Sequence, residues 1–507
     1  MDKQTLYYGD NIDVMRTHIP SESVDLCYID PPFNSKRNYN QIYNNIGRED
    51  KAQSVAFVDT WEWNERAERE YGEICAGAGG VFTKKTSDLM TGLYQILGRG
   101  SLLSYLVSMT LRINEIYRVL KPTGSFYLHC DPTVSHYLKL VLDAVFCRRG
   151  GDFRNEIVWN YTGWNKKLKV GFERRHDVIF FYTKTKNATF NGYAEPWKSR
   201  EEYVRKRKQK VRRDEDGNEY LLSDGGGGTR VRRYIAEAME YGSPADDVWR
   251  IDKINNSSKE RLGYPTQKPE ALLERIIAAS SNEGDTVLDA FCGCGTTVAV
   301  AQRLGRRWIG IDITYNSISL VLKRLTETFG EGITDNITVS GIPADMESAR
   351  ALARKKDDRL RKEFEKWAVL TYTDNMAMIN DKAGKDYGID GTARILSGKG
   401  IYADILFSVK SGKTGAGAVR DFRGAIERDN AAAGVFITLN APTSDMKKEA
   451  ASAGTYGNDF MKEFPKIRIV TVEEILKGAR LDIKLAADAV RKAERAAAGN
   501  DGQLSLL

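Results

Sequence analysis

The chain contains no pair of CxxC units and no apolar run long enough to cross a membrane as a helix. Its six cysteines (Cys27, Cys75, Cys130, Cys147, Cys292 and Cys294) are scattered, so neither a disulfide framework nor a zinc site is expected. The opening residues, MDKQTLYYGDNIDV, lack the charged and apolar regions of a secretory signal, and a cytoplasmic protein is expected. Charge of one sign is also scarce: 76 Lys and Arg stand against 69 Asp and Glu, a net of +7. That is a mild lean toward a polyanionic partner. What is present is ordinary for a globular chain, 41% hydrophobic and 29% charged. A length of 507 residues exceeds what one core usually supports, so two or three domains are expected.

The first residues read as strand, turn, strand. Thr5–Tyr8 is β-prone and is ended by Gly9-Asp10, and Ser23–Ile29 (SVDLCYI) is a buried-strand pattern running into Asp30-Pro31-Pro32-Phe33. A proline pair cannot continue a central strand, so the chain turns there. Asp30 is thereby placed at the carboxyl end of a strand, where open α/β sheets bind ligands. Residues 39–106 read as an insertion with helical pieces. Leu111–Leu120 reads as an amphipathic helix stopped by Lys121-Pro122-Thr123-Gly124, and Ser125–Cys130 as the next strand. Val134–Phe146 follows as a helix, and Glu156–Trp159 and Val178–Tyr182 as strands.

Between about 160 and 264 the chain turns polar, basic and glycine-punctuated. Lys198–Arg213 holds nine Lys or Arg against two Glu, and the run Gly225–Gly228 precedes Arg230, Arg232 and Arg233. Such a run is either a solvated helix face or a surface for phosphates. The α/β rhythm returns at Pro269, with a helix over Glu270–Ala279, a strand over Thr286–Phe291, a helix over Thr296–Leu304 and a strand over Trp308–Ile313. Beyond Gly330 a linker with Pro343 leads to a charged helix over Arg350–Val369, a second compositional block and a polar tail.

Two constellations carry chemistry. The first is Asp289-Ala290-Phe291-Cys292-Gly293-Cys294-Gly295-Thr296-Thr297, followed by Asp312 at the end of the next strand. Glycines let the backbone turn tightly and approach a ligand, a following helix N-terminus offers free N–H groups, and an acid after the second strand accepts from ribose hydroxyls. A dinucleotide loop wants a third glycine, which is absent here. The pattern suits S-adenosylmethionine better, with Asp289, Phe291, Gly293, Gly295, Thr296 and Asp312 as binding candidates. The second constellation is Asp30-Pro31-Pro32-Phe33. An exocyclic amino nitrogen is a poor nucleophile because its lone pair is delocalised into the ring. The Asp30 carboxylate and the Pro31 carbonyl can each accept one of its N–H bonds and aim it at a methyl donor. Pro31 and Pro32 stiffen the turn, and Phe33 offers a face to a base swung out of a duplex. No Pro-Cys pair occurs, and this chemistry needs no cysteine nucleophile.

With these residues in this order, residues 1 to about 330 resemble the β-type amino-group (N6-adenine/N4-cytosine) DNA methyltransferases, in which the catalytic half precedes the target-recognition region and the cofactor half comes last. The resemblance implies a Rossmann-like α/β sheet with an inserted target-recognition region over about 160–264. It implies Asp10 near the cofactor adenine and Lys268, in Thr266-Gln267-Lys268-Pro269, near the cofactor's methionine end. Arg118–Asp131 (RVLKPTGSFYLHCD) is a further stretch of the family. The DPPF form goes with adenine N6 in double-stranded DNA, reached by base flipping, with N4 of cytosine as the alternative. A restriction–modification or phage-defence role is implied, and family members are often dimers.

The C-terminal block resembles the restriction-endonuclease-like PD-(D/E)xK fold of the Mrr-like kind, a second and smaller α/β domain. Asp386-Tyr387-Gly388-Ile389-Asp390-Gly391 and Ile405–Lys410 carry that resemblance. Asp390 and Lys410 match, and Glu365 on the preceding helix is a further candidate. Asp390 would hold Mg²⁺, making a single-chain methyltransferase–endonuclease the alternative reading. Ser408 departs from the pattern, standing where an acid or Gln is wanted. A module that only binds DNA is the other outcome. Gln503–Leu507 (QLSLL) resembles a sliding-clamp-binding pentapeptide. The expected organisation is therefore a methyltransferase domain over 1–330, a linker over 331–349, the nuclease-like domain over 350–480 and a tail over 481–507.

Overall fold

The apolar runs that alternate with amphipathic segments build one nine-stranded sheet. The structure is a computed structural model. It describes residues 4–485, apart from 33–36, 46–47, 60, 62, 78–80, 164–169, 256, 263, 265, 344, 355–357, 374–375, 381–387, 399–400, 459–460 and 484. Phe33 and the pentapeptide Gln503–Leu507 thus lie outside the described residues. In chain order the strands of the large sheet are β1 (Gln4–Tyr8), β2 (Val24–Ile29), β3 (Leu120–Cys130), β4 (Asp152–Asn160), β5 (His176–Thr183), β6 (Val248–Arg250), β7 (Thr286–Asp289), β8 (Arg307–Asp312) and β9 (Ile337–Ser340). They lie in the order β6-β4-β5-β3-β2-β7-β8-β1-β9. Only β5 runs antiparallel to both its neighbours.

The burial of β2 and β7 is continuous rather than alternating, as parallel strands covered on both faces require. Helices Asn11–His18, Ser101–Val119 and Ser135–Val145 pack on one face through Met15, Leu106 and Leu138 against Cys27, Ile29 and Leu288. Helices Glu270–Ser280, Thr296–Arg303 and Tyr315–Phe329 pack on the other through Ile276, Val298 and Ile318 against Leu26, Val287 and Trp308. The crossing that matters is β2 beside β7, where Leu26 pairs with Val287. It joins strands more than 250 residues apart in the sequence and brings the carboxyl ends of β2, β7 and β8 to one edge.

Several boundaries differ from those expected. Lys121-Pro122-Thr123-Gly124, expected as a turn outside the sheet, lies within β3. The β2–β3 register jumps from Val24–Leu120 to Leu26–Ser125, so the turn residues are absorbed as a bulge rather than ending the pairing. The insertion after Asp30 holds helices Glu65–Ala76 and Lys84–Leu97, but also a hairpin of strands Arg37–Asn45 and Arg48–Asp59. The expected strand Thr286–Phe291 stops at Asp289 because the Asp289 carboxylate accepts the Phe291 N–H at 3.0 Å and turns the chain.

The expected linker over 331–349 is structured. Ile337–Ser340 pairs parallel with Gln4–Tyr7 as the sheet's edge strand, and Asp345 caps a helix over Met346–Ala353 in a capping box with Ser348. The single helix expected over Arg350–Val369 is two, Met346–Ala353 and Asp358–Tyr372.

The basic stretch folds on a small core of Tyr203, Leu221 and Ile235. It carries a helix over Arg200–Arg207 and a sheet of Arg212–Arg213, Glu219–Asp224 and Arg230–Tyr234. The C-terminal unit is a second sheet, β10 (Met378–Ile379), β11 (Gly391–Gly398), β12 (Ile401–Lys410), β13 (Ala433–Thr438) and β14 (Ile467–Thr471), in that order. Its first helix, Asp358–Tyr372, buries Phe364, Trp367 and Ala368 in the same apolar cluster as Tyr8, Tyr315 and Leu325. The two units therefore share packing.

Trp308 on β8 is fully buried and donates its indole N–H to Gln302 at 2.9 Å. Trp308→Ala is expected to destabilise the protein by about 3–5 kcal/mol, the cost of an aromatic cavity in a parallel-sheet core, measured by denaturant unfolding.

Candidate active site

Three carboxylates arrive at the same sheet edge from the ends of β2, β7 and β8: Asp30, Asp289 and Asp312. They line one cavity of about 630 Å³, together with Pro31, Pro32, Phe291 and Gly293. Each carboxylate is used differently, and its partners explain why.

Asp30 is mostly buried. Its Oδ2 receives the Lys268 ammonium, while Oδ1 is buried and meets no hydrogen-bond donor among the described residues. An unsatisfied buried acceptor on an ion-paired carboxylate is costly, and here the residue that carries it lines a cavity. Behind it sits a buried group the sequence did not single out, His129 on β3. The Tyr28 hydroxyl lies 3.0 Å from His129 Nδ1, and the Asp177 carboxylate 3.4 Å from Nε2. Asp177 also accepts from the Tyr161 hydroxyl at 3.2 Å. Burial, then the charge of Lys268, lowers the His129 imidazole below its ordinary range, so a neutral ring backs Asp30. The residue lies in the SFYLHC stretch, where strand pattern was visible but the approach to Asp30 and Asp177 was not.

Asp289 holds the glycine loop. Its Oδ1 accepts the Phe291 N–H and its Oδ2 the Thr297 hydroxyl at 2.5 Å. Complete burial pushes its carboxyl up to about 7. Gly293 and Gly295 have φ of 48° and 73°, the left-handed region where a side chain is strained. A Cβ at Gly293 would press on the Tyr264 ring at 3.2 Å, and one at Gly295 would meet Val321 at 2.8 Å. Arg324, also missed from the sequence, clamps the same loop. It donates to the Cys294 carbonyl at 3.3 Å, to the Thr296 hydroxyl at 3.0 Å and to Glu270 at 2.7 Å. Cys292 and Cys294 are buried free thiols.

Asp312 accepts the Gly293 N–H at 2.9 Å and the Thr314 N–H at 2.9 Å. Burial raises its carboxyl. Asp10 caps the helix Asn11–His18 through the Ile12 N–H and binds Arg112 at 3.2 Å and Arg66 at 2.7 Å. Burial works against its charge, but Arg112 and Arg66 hold the carboxyl below its ordinary range. Lys268, expected at a cofactor's methionine end, lines the same cavity and pairs with Asp30. Asn11 joins the set: its amide donates to the Ala290 carbonyl at 2.7 Å while its Oδ1 is buried and unsatisfied among the described residues.

The nuclease-like residues come together elsewhere. The Asp390 carboxylate accepts the Val409 N–H at 2.7 Å. The Ser408 hydroxyl donates to the Gly388 carbonyl at 2.6 Å, so it offers no anionic ligand. Burial, then the Asp390 charge, pushes Glu365 up to about 7, while Lys362 and Lys410 oppose it. Among the described residues no three His, Cys, Asp or Glu side chains converge as a metal set. Mg²⁺ keeps several waters and is usually held by one or two carboxylates, and Ser408 withholds the acid that the nuclease pattern places beside Asp390.

Comparison with known proteins matches two separate stretches of the chain. The N6/N4 family described as DNA methylase matches residues 24–323, and the family described as NACHT-associated inactive Restriction Endonuclease 1 matches residues 360–477. The DNA adenine methyltransferase YhdJ of Escherichia coli (strain K12) is 27% identical over 325 residues, 64% of this chain and 83% of its own. The Type II methyltransferase M.HpaI of Haemophilus parainfluenzae is 34% identical over 218 residues, 43% of this chain and 58% of its own. The Type II methyltransferase M2.DpnII of Streptococcus pneumoniae is 51% identical over 91 residues, 18% of this chain and 34% of its own.

Two outcomes follow from the geometry. Gly295→Ala is expected to lower thermal stability through left-handed strain, about 1–2 kcal/mol, plus the clash with Val321. Adding Val321→Ala relieves the clash only, so the double variant melts above the sum of the singles. For Glu365, a raised carboxyl favours the folded state while it is protonated. Its contribution is complete below pH 4.5 and is lost as pH rises through about 7. Glu365→Gln is expected to flatten part of the fall in melting temperature between about pH 5 and pH 7, with little effect on the slope above that.

Proposed function

The chain belongs to the N6/N4 DNA methylase family, and we propose that it moves a methyl group from S-adenosylmethionine to the exocyclic amino group of a base, N6 of adenine, at a specific site in double-stranded DNA. The observation that carries this reading is Asp30. One carboxylate oxygen is held by Lys268, the other is buried with no hydrogen-bond partner among the described residues, and the residue lines the cavity that also holds the glycine loop.

The cavity fits the methyl donor. Its wall includes Gly293 of the glycine loop and Tyr264, which packs against that glycine, its helix starts at Thr296 without a side-chain cap, and Asn11 Oδ1 has no hydrogen-bond partner among the described residues. Asp10, Asp289, Phe291, Gly293, Gly295, Thr296 and Asp312 would hold the donor. When bound, S-adenosylmethionine supplies an electrophilic methyl on a sulfonium. The chain's own part is to present the nucleophile. Asp30 Oδ1 accepts one N–H of the target amino group and the Pro31 carbonyl accepts the other, which turns the nitrogen lone pair out of the ring plane toward the methyl. Lys268 aligns Asp30 by occupying Oδ2. The methylated nitrogen sheds one proton, which the carboxylate of Asp30 would receive. Phe33 follows directly in the sequence and would stack on a flipped base.

DNA enters through the basic region. Arg230, Arg232 and Arg233 are all exposed on one short strand, a fit for phosphates rather than for a core. Adenine is favoured by the DPPF form; the acceptor pair would also hold N4 of cytosine. We take residues 1–340 as the methyltransferase unit, with its target-recognition region over about 160–264, and the nuclease-like unit as a DNA-binding module that does not cut. Such a chain suits a restriction–modification or phage-defence system.

Purified protein with tritium-labelled S-adenosylmethionine and genomic DNA is expected to yield labelled N6-methyladenine on nucleoside chromatography. Asp30→Ala is expected to lower the rate at least about 10²-fold while calorimetric affinity for S-adenosylhomocysteine stays within about threefold, less than 1 kcal/mol. Equal loss of cofactor affinity would make Asp30 a structural residue. Labelled N4-methylcytosine would keep the reaction and change the base.

A further inference from the structure

The cavity is not closed by the methyltransferase sheet alone. Lys362, Glu363 and Lys366 also line it, and all three lie on the helix Asp358–Tyr372, the first element of the C-terminal unit. Spacings of three and four put them on one face of that helix. Glu365, on another side, turns to the Asp390 and Lys410 cluster.

Glu363 is buried, with 8% exposure. Its Oε2 accepts the Tyr315 backbone N–H at 3.2 Å and the Tyr8 hydroxyl at 3.4 Å. Its Oε1 meets the Lys366 ammonium at 3.0 Å. Tyr8 immediately precedes Gly9-Asp10, and Tyr315 immediately follows Asp312-Ile313-Thr314, which are two of the cavity's walls. One carboxylate from the C-terminal unit thus ties together the chain ends that border the cofactor's adenosine half. Asp312, the acid the sequence marks for ribose hydroxyls, already has both oxygens engaged by the Gly293 and Thr314 amides and the Thr314 hydroxyl. A carboxylate offers about four acceptor positions. Glu363 also takes three donors, and Oε1, met only by Lys366 among the described residues, leaves one acceptor position on the same cavity.

We propose that Glu363, aligned by Lys366, accepts a ribose hydroxyl of the cofactor, so that the methyl-donor site is completed by the nuclease-like unit. This rests on the S-adenosylmethionine reading above. It gives that unit a function that needs no cleavage: anything that shifts the helix Asp358–Tyr372 also shifts a cofactor ligand.

The test uses the full chain and calorimetry with S-adenosylhomocysteine and its 2′-deoxyribose and 3′-deoxyribose analogues. Wild-type protein is expected to bind S-adenosylhomocysteine and to lose about tenfold for at least one deoxy analogue, the size of one charge-assisted hydrogen bond. Glu363→Ala is expected to weaken S-adenosylhomocysteine about tenfold and to shrink that deoxy penalty below about twofold. Glu363→Gln keeps the shape and one acceptor oxygen, is expected to show a smaller penalty in the same direction, and with its melting curve recorded beside that of the alanine variant separates loss of the ribose contact from loss of the fold. Unchanged affinity in both variants overturns the proposal. So does weaker binding with the full deoxy penalty retained, because Glu363 would then only support the fold. A wild-type protein that binds no S-adenosylhomocysteine overturns the methyltransferase reading itself.

Discussion

Everything in the site depends on one ion pair that is only half a hydrogen-bond arrangement. Lys268 occupies one oxygen of Asp30 and leaves the other buried with no donor among the described residues. A fully satisfied carboxylate would be more stable, and a solvated one would be free to rotate. The pair instead fixes the carboxylate and keeps one acceptor dry. Lys268 comes from the segment before the helix Glu270–Ser280, 238 positions along the chain from Asp30, so the acceptor exists only once both halves of the sheet have assembled. The Tyr28, His129 and Asp177 contacts behind it hold the same ground from the side of β3.

The sheet makes that assembly possible. Placing β2 against β7 sets the turn after β2 beside the glycine loop after β7, and Asp312 after β8 secures that loop through the Gly293 amide. Parallel strands end on the same edge, so a residue that acts on the nucleophile and residues that cradle a donor are neighbours without any long-range loop. The positive φ of Gly293 and Gly295, with Tyr264 and Val321 packed where side chains would be, explains why glycine stands at both positions of the loop.

Much of this was legible beforehand. Buried strands, the turn forced by Pro31-Pro32 and the glycine loop have local causes, and local causes show in a sequence. What did not show is of two kinds. Long-range partners such as His129, Arg324 and Glu363 are ordinary residues on ordinary elements, and only the fold brings them to the cavity. Some turn signals were outvoted by pairing: Lys121–Gly124 became a bulge within β3, and the stretch taken as a linker supplied Ile337–Ser340, because the exposed edge of β1 had unpaired backbone groups to satisfy. The C-terminal unit resembled a nuclease at Asp390 and Lys410, yet Ser408 turns its hydroxyl to Gly388. What that unit offers the rest of the molecule is a helix rather than a metal centre.

The central claim is that Asp30 presents a base amino group to a methyl donor. Its most direct test is single-molecule sequencing with modified-base detection on DNA from bacteria expressing the chain, set against bacteria carrying the Asp30→Ala variant. The account predicts N6-methyladenine at one recurrent motif with the first and none with the second. The same modification in both strains, or no modified base in either, would contradict it.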